Sequence, residues 1–235
     1  NNIPELEKDL LAKGNHFCEH SNSITNQSEL VSMLIIEGKN FTEGIENVYR
    51  RIKGSCSMLL LTENGIIAAR DKYGRTPILL GKGENGFAVS SETCSFPNLG
   101  YETHYNLGPG EIVHITADGF TQMRKPGKKM QICSFLWVYY GYPVCEYEGK
   151  NVDQMRFDCG LEMGKNDDIE ADFVSGIPDS GRYVSRICCR KKNTLSARNC
   201  QVHPYLATKF HTTQSTNAWI SGQDEIDSKQ KFIER

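Results

Sequence analysis

Apolar positions change their period along this chain, and the change divides it into a helical opening and a stranded middle. Leu6, Leu10 and Leu11 form one stripe behind Pro4, a first-turn residue, and predict a helix over 3–13. His16–His20 is a short strand candidate. Asn26 with Glu29 is a capping-type pair that opens a second helix through Leu30, Leu34 and Ile35, closed by Gly38. Ile45, Val48 and Ile52 share a face and predict a third helix over 41–52. From Ser55 the pattern becomes that of strands. Ser55–Glu63 reads as a buried strand, Asn64-Gly65 as a hairpin turn, and Ile66–Arg70 as the return. Pro77–Gly81 and Phe87–Ser90 form another strand pair, followed by a helix-like stretch at 92–98. Strands near 103–107, 111–116 and 119–124 are joined by Gly108-Pro109-Gly110 and Ala117-Asp118-Gly119. Helices followed by a run of antiparallel strands predict an α+β fold in layers.

Beyond these strands, Lys125–Lys129 is a basic linker holding Pro and Gly. Cys133–Tyr140 is apolar and aromatic, a helix is predicted near 151–164, and Ala171–Ile177 leads into Pro178-Asp179-Ser180-Gly181. A strand that ends in a loop of small residues is how phosphate-binding α/β domains begin.

Composition narrows the classes. The chain has 235 residues, 38% hydrophobic and 24% charged, enough for one large domain or one domain and part of a second. No apolar run approaches a bilayer span; Met58-Leu59-Leu60-Leu61 is strand-sized. A net charge of -2 gives no case for nucleic acid or an anionic membrane as partner. The polar, acidic first residues do not read as a signal peptide. Nine cysteines without a C-x-x-C pair read as reduced thiols in a cytoplasmic protein. The charge is uneven. Residues 182–235 hold 10 Lys+Arg against 4 Asp+Glu, with one glycine, Gly222; residues 1–181 hold 17 against 25 and the other 20 glycines.

Six strings in order carry a family resemblance. They are Lys53-Gly54-Ser55 leading to Leu59–Gly65, Ala68–Pro77, Ser90-Ser91-Glu92, Gly108-Pro109-Gly110-Glu111, Cys133–Tyr140 and Ile177-Pro178-Asp179-Ser180. Together they resemble the amidophosphoribosyltransferases. The Arg-Asp…Gly…Pro and Ser-Glu strings are shared by class II glutamine amidotransferases in general. The Cys133–Tyr140 string and the Pro178-Asp179-Ser180 loop select the phosphoribosyltransferase branch. The resemblance implies an αββα sandwich of the N-terminal-nucleophile hydrolase type, here partial, and then the start of an α/β type I phosphoribosyltransferase domain. It implies boundaries at 1–128 and 129–181. It also implies glutamine and phosphoribosyl pyrophosphate as substrates, magnesium at the phosphates, a homo-oligomer and a role in purine biosynthesis.

The same resemblance assigns three positions. Gln27 falls where the family has an Asp that binds the ammonium of glutamine. A neutral amide accepts one hydrogen bond there without supplying charge; the competing reading is an ordinary first-turn residue. Ser180 falls at the magnesium position, or is a solvated loop serine. Cys133 falls where some relatives ligate an iron–sulfur cluster. One cysteine does not hold a cluster, so a buried apolar cysteine is expected. Arg70 and Asp71 are expected to pair with each other beside a turn made by Gly74, and Ser90-Ser91-Glu92 to be a strand end and helix cap.

The family pattern places its nucleophile cysteine upstream of Asn1, so the chain by itself is expected to catalyse nothing. After Gly181 the resemblance stops. Read one base out of step, Ser185–Arg190 permits Leu-Gly-Tyr-Ala-Ala-Gly and Gln201–Tyr205 permits Lys-Tyr-Thr-Pro-Thr, both family-like. A frameshift near codon 181 is therefore expected, with residues 182–235 poorly ordered. Two other readings stay open: a different class II amidotransferase, and a non-catalytic regulatory paralogue, which Gln27 favours.

Overall fold

The computed structural model describes residues 2–18, 20–21, 24–168, 173–174 and 195–196. The chain divides into two compact units, Asn1–Met155 and Arg156–Arg235. In the first unit, helix α1 spans Ile3–Ala12 with Pro4 in its first turn, and it buries Leu6 and Leu10. Leu11 faces solvent instead. The predicted strand at His16–His20 is replaced by a minimal hairpin, β1 (His20–Ser21) against β2 (Ile24–Thr25). Helix α2 (Gln27–Ile36) starts where the Asn26 side chain accepts the amides of Ser28 and Glu29. Helix α3 (Phe41–Arg51) is capped by Asn40 and buries Ile45 and Val48. These two helices pack closely because Gly44 has no side chain; a Cβ there would overlap the Ile35 carbonyl.

Two antiparallel sheets follow. The first has the order β3-β4-β8-β9, from Met58–Thr62, Gly65–Ala69, Ile112–Ile115 and Phe120–Arg124. The second has the order β6-β5-β7, from Gly86–Ser90, Leu79–Gly83 and Glu102–Asn106. Alternation along β4 sets the layers. Ile67 and Ala69 join Leu6, Leu10, Leu34, Ile45 and Val48 under the helices. Ala68 joins Leu80, Leu107, Val113 and Ile115 between the sheets. On the far face of the second sheet the short helix α4 (Ser95–Asn98) lays Phe96 on Gly81, where a Cβ would lie 2.5 Å from the ring. The layering is helix, sheet, sheet and a short fourth layer. This is the α+β sandwich that the resemblance implies.

The β3–β4 turn is centred on Glu63-Asn64, one residue earlier than expected, with Gly65 at φ +131° opening β4. Strand β3 is not the buried strand its composition suggests: Leu59 and Leu61 are 52% and 87% exposed. The reason is position. Strand β3 is an edge, and the second sheet draws its packing partners from β4, β8 and β9.

After β9 the exposed stretch 125–130 leads to a π-helical turn, Leu136–Tyr140. A hairpin of β10 (Glu146–Tyr147) and β11 (Lys150–Asn151) and then helix α5 (Val152–Asn166) follow. Trp137, Cys145, Tyr147 and Val152 form a third small core. In the second unit, β12 (Phe173–Val174) pairs in parallel with β13 (Leu195–Ser196). The rest of 182–235, with the order expected of it, lies outside the described residues, as does Ser180.

Candidate functional site

Gln27 is the first residue of α2, and it is exposed. Its surroundings are built for placement. Thr25, 3% exposed, donates its hydroxyl to Glu7 of α1, which ties β2 to the helical layer. The Asn26 Oδ1 accepts the amides of Ser28 at 2.9 Å and Glu29 at 3.4 Å, and the Glu29 carboxylate accepts the amide of Cys18 at 2.7 Å. The helix start is thereby fixed while the Gln27 side chain stays accessible, an arrangement that lets an amide oxygen meet a ligand's ammonium.

The strongest motif residues lie elsewhere and do different work. Arg70 is 1% exposed. Its guanidinium donates to the carbonyls of Leu107 at 2.5 Å and Gly74 at 2.7 Å, and pairs with Glu148 at 2.7 Å. Its Nε is buried without a partner. Asp71, also buried, turns away from Arg70. Its carboxylate accepts the amides of Tyr73 at 3.0 Å and Thr76 at 3.1 Å, while its own amide donates to the Ser57 hydroxyl. The expected Arg70–Asp71 pair is thus not formed. Successive residues leaving a strand point to opposite sides, and each finds backbone groups to satisfy. Gly74 does supply the turn, at φ +66°.

The Gly108-Pro109-Gly110-Glu111 loop closes this hub. Glu111 is fully buried and accepts from the Tyr105 hydroxyl at 2.8 Å, the Gly108 amide at 2.6 Å and the Gln122 amide. Burial, and next the Glu111 carboxylate, push the Tyr105 phenol up to about 12. Tyr49 of α3 donates to the Arg70 carbonyl at 2.7 Å, and its burial holds the phenol well above the ordinary value. Burial, reinforced by Asp71, also raises the Cys56 thiol. Apart from the Arg70 Nε, the buried polar side chains of the hub meet partners within the fold, which makes it a scaffold.

Cys133 is exposed, against the expectation of a buried thiol. It sits at the end of a connecting stretch that runs along the hub, its amide donating to the Arg75 carbonyl at 3.4 Å and that of Gln131 to Tyr73 at 2.7 Å. Within the Cys133–Tyr140 string only Trp137 is buried and Leu136 partly so; Val138, Tyr139 and Tyr140 are exposed, as the cysteine is. It does not belong to the one metal-ligating group found among the described residues, Glu92 with Cys94 and Cys145. No iron–sulfur ligand set therefore assembles at Cys133 from these residues. Ser90 ends β6 as expected, and its hydroxyl accepts the Glu92 amide at 3.1 Å; the cap position of α4 is Cys94 instead.

An open groove of about 530 Å³ is lined by Phe41, Leu61, Thr62, His114 and Met123 among others. Neither Gln27 nor Cys133 lines it, whereas Leu61, Thr62, Glu63 and Asn64 of the Leu59–Gly65 string do. The residues that sequence reading missed are Tyr49, Glu111 and Glu148. Glu111 stood in a quoted string and its isolated acid between Gly and an apolar strand was a usable signal; Glu148 had none.

The comparisons with known proteins fit this geometry. Residues 1–98 match the family model of a glutamine amidotransferase domain. That range holds the three opening helices and strands β3 to β6; the other strands of the two sheets, β7 to β9, lie beyond it. The chain is 30% identical to the amidophosphoribosyltransferase of Drosophila melanogaster, over 89% of this chain and 42% of that protein. It is also 30% identical to the Archaeoglobus fulgidus amidophosphoribosyltransferase, over 77% of this chain and 39% of that one. A solved glutamine phosphoribosylpyrophosphate amidotransferase from B. subtilis, complexed with ADP and GMP, superposes with a TM-score of 0.75 at 24% identity, over 94% of this chain and 48% of that one. A second solved structure, described as the allosteric regulatory enzyme of purine biosynthesis, gives 0.76 at 25% identity, with 94% and 47% covered. The chain is a relative of the amidophosphoribosyltransferases, as its motif strings imply, and it spans less than half the length of the relatives it matches.

Proposed function

We propose that the protein to which this chain belongs releases ammonia from glutamine and transfers it to phosphoribosyl pyrophosphate. A C–N bond forms at the anomeric carbon, the C–O bond to pyrophosphate breaks, and phosphoribosylamine and pyrophosphate leave, a step of de novo purine synthesis. The observation that carries this reading is the combination of the layered sandwich with likeness to amidophosphoribosyltransferases along 89% of the chain. On this reading residues 1–128 are the amidotransferase portion and 129–181 open the transferase portion, the join falling in the exposed stretch after β9. The protein is cytoplasmic and assembles with copies of itself; among the described residues no helix is long and apolar enough to cross a membrane.

Gln27 takes the ammonium of glutamine by one neutral hydrogen bond. By the family pattern Ser180 would be the magnesium position, where the cation would neutralise pyrophosphate charge as it departs. The scaffold around Arg70 ties together the loops after β4 and β7. The test is pyrophosphate release from phosphoribosyl pyrophosphate by the product of the whole gene, whether or not it extends beyond residues 1–235. Release that requires glutamine or ammonia supports the reading; none with either donor contradicts it. Gln27→Asp is expected to tighten glutamine binding roughly tenfold, because a charge-assisted hydrogen bond replaces a neutral one. The regulatory reading gains from Gln27 and is favoured if glutamine binds without being consumed.

A further inference from the structure

Three side chains converge where the segment after β6 meets the 145–147 hairpin. The Glu92 carboxylate, the Cys94 thiol and the Cys145 thiol each offer one ligand atom, all within 4.8 Å of one another. We propose that Glu92, Cys94 and Cys145 form a binding site for a thiophilic divalent cation of the zinc class.

The geometry is close to what such a cation needs. Bond lengths of about 2.3 Å to sulfur and about 2.0 Å to oxygen put neighbouring ligand atoms of a tetrahedral site roughly 3.5–3.8 Å apart. Here the Cys94 Sγ lies 3.6 Å and the Cys145 Sγ 4.0 Å from Glu92 Oε2. The Tyr147 hydroxyl donates to Glu92 Oε1 at 3.5 Å. Glu92 is therefore a half-buried carboxylate ringed by three weak, neutral donors, and among the described residues no Lys, Arg or His pairs with it. A carboxylate in that setting is short of positive charge. A cation between the three groups supplies it.

The backbone holds the ligands in place without the cation. The Glu92 amide donates to the Ser90 hydroxyl and its carbonyl accepts from the Ser95 hydroxyl at 2.7 Å. The Cys145 amide donates to Tyr142, and its carbonyl accepts the Asn151 side chain at 3.2 Å and the Val152 amide at 2.9 Å. Thr93 accepts the Glu146 amide at 2.8 Å, pinning the two segments together. Such support is what makes a ligand set selective. Two thiolates and one carboxylate suit zinc rather than magnesium. Cys145 is fully buried whereas Glu92 and Cys94 are partly exposed, so the fourth position opens to solvent on their side. Both cysteines would bind as thiolates, so loading from the thiol forms breaks two S–H bonds, forms two sulfur–metal bonds and releases two protons to solvent.

The test is cobalt(II) titration of the reduced, metal-free 235-residue chain, followed by its near-ultraviolet thiolate-to-cobalt charge-transfer band. One cobalt per chain is expected. The band should vanish in Cys94→Ser and in Cys145→Ser and survive in a Cys188→Ser/Cys189→Ser control. Glu92→Gln, which changes shape least, should weaken binding at least about tenfold while circular dichroism stays unchanged. No band in the unaltered chain, or a band that both single cysteine variants keep, overturns the proposal. So does a Cys94–Cys145 disulfide whose reduction yields no cobalt binding.

Discussion

The hub at Arg70 and the helix start at Gln27 present opposite solutions to placing polar side chains. At the hub, Arg70, Asp71 and Glu111 are all but inaccessible, and nearly every polar atom meets a backbone group. At the helix start, only Thr25 is buried and Gln27 stands in solvent. The difference teaches that motif strength and chemical role are separate. Residues that make the family recognisable here are the ones a fold of paired sheets needs for its loops, whereas Gln27, the proposed ligand position, is a single exposed side chain on a capped helix.

Substitutions break or sharpen that contrast in a graded order. Arg70→Met removes two carbonyl contacts and leaves the Glu148 carboxylate without its partner; a loss of about 3–5 kcal/mol in urea denaturation is expected, and a loss below about 1 would deny the hub its scaffold role. Tyr49→Phe deletes one buried hydrogen bond to the Arg70 carbonyl and should cost about 1–1.5 kcal/mol by the same measurement. Asn26→Ala uncaps α2, at about 1 kcal/mol, read as a lowered urea midpoint with an unchanged slope. Gln27→Ala should shift stability by less than about 0.5 kcal/mol, as for other exposed sites; a larger change would give Gln27 a structural duty.

Much of the layering is legible in the sequence because local periodicity and turn chemistry carry it. The stripes of α1 and α3, the Asn26 cap and the strands at 79–83, 86–90 and 112–115 follow from spacing and punctuation. What stays hidden is decided by neighbours distant in sequence. Leu59 and Leu61 look like core residues, and only the sheet order makes their strand an edge. Arg70 and Asp71 look like a pair, but alternation separates them and the partner of Arg70 comes from the 147–150 turn. Cys133 sits one turn before Trp137, the one buried residue of its string, so composition misjudges it. The Glu92–Cys94–Cys145 cluster shows no ligand spacing, because two segments far apart in sequence build it.

Residue-resolved hydrogen exchange on the unaltered chain puts the contrast to its most direct test. The amides of Arg70, Leu107 and Gly110, bonded to Glu111, Ile78 and Asp71, should exchange only with global unfolding, while those of Ser28 and Glu29 at the cap exchange through smaller openings. Protection at 70, 107 and 110 no greater than at 28 and 29 would contradict the contrast between a rigid hub and an open helix start.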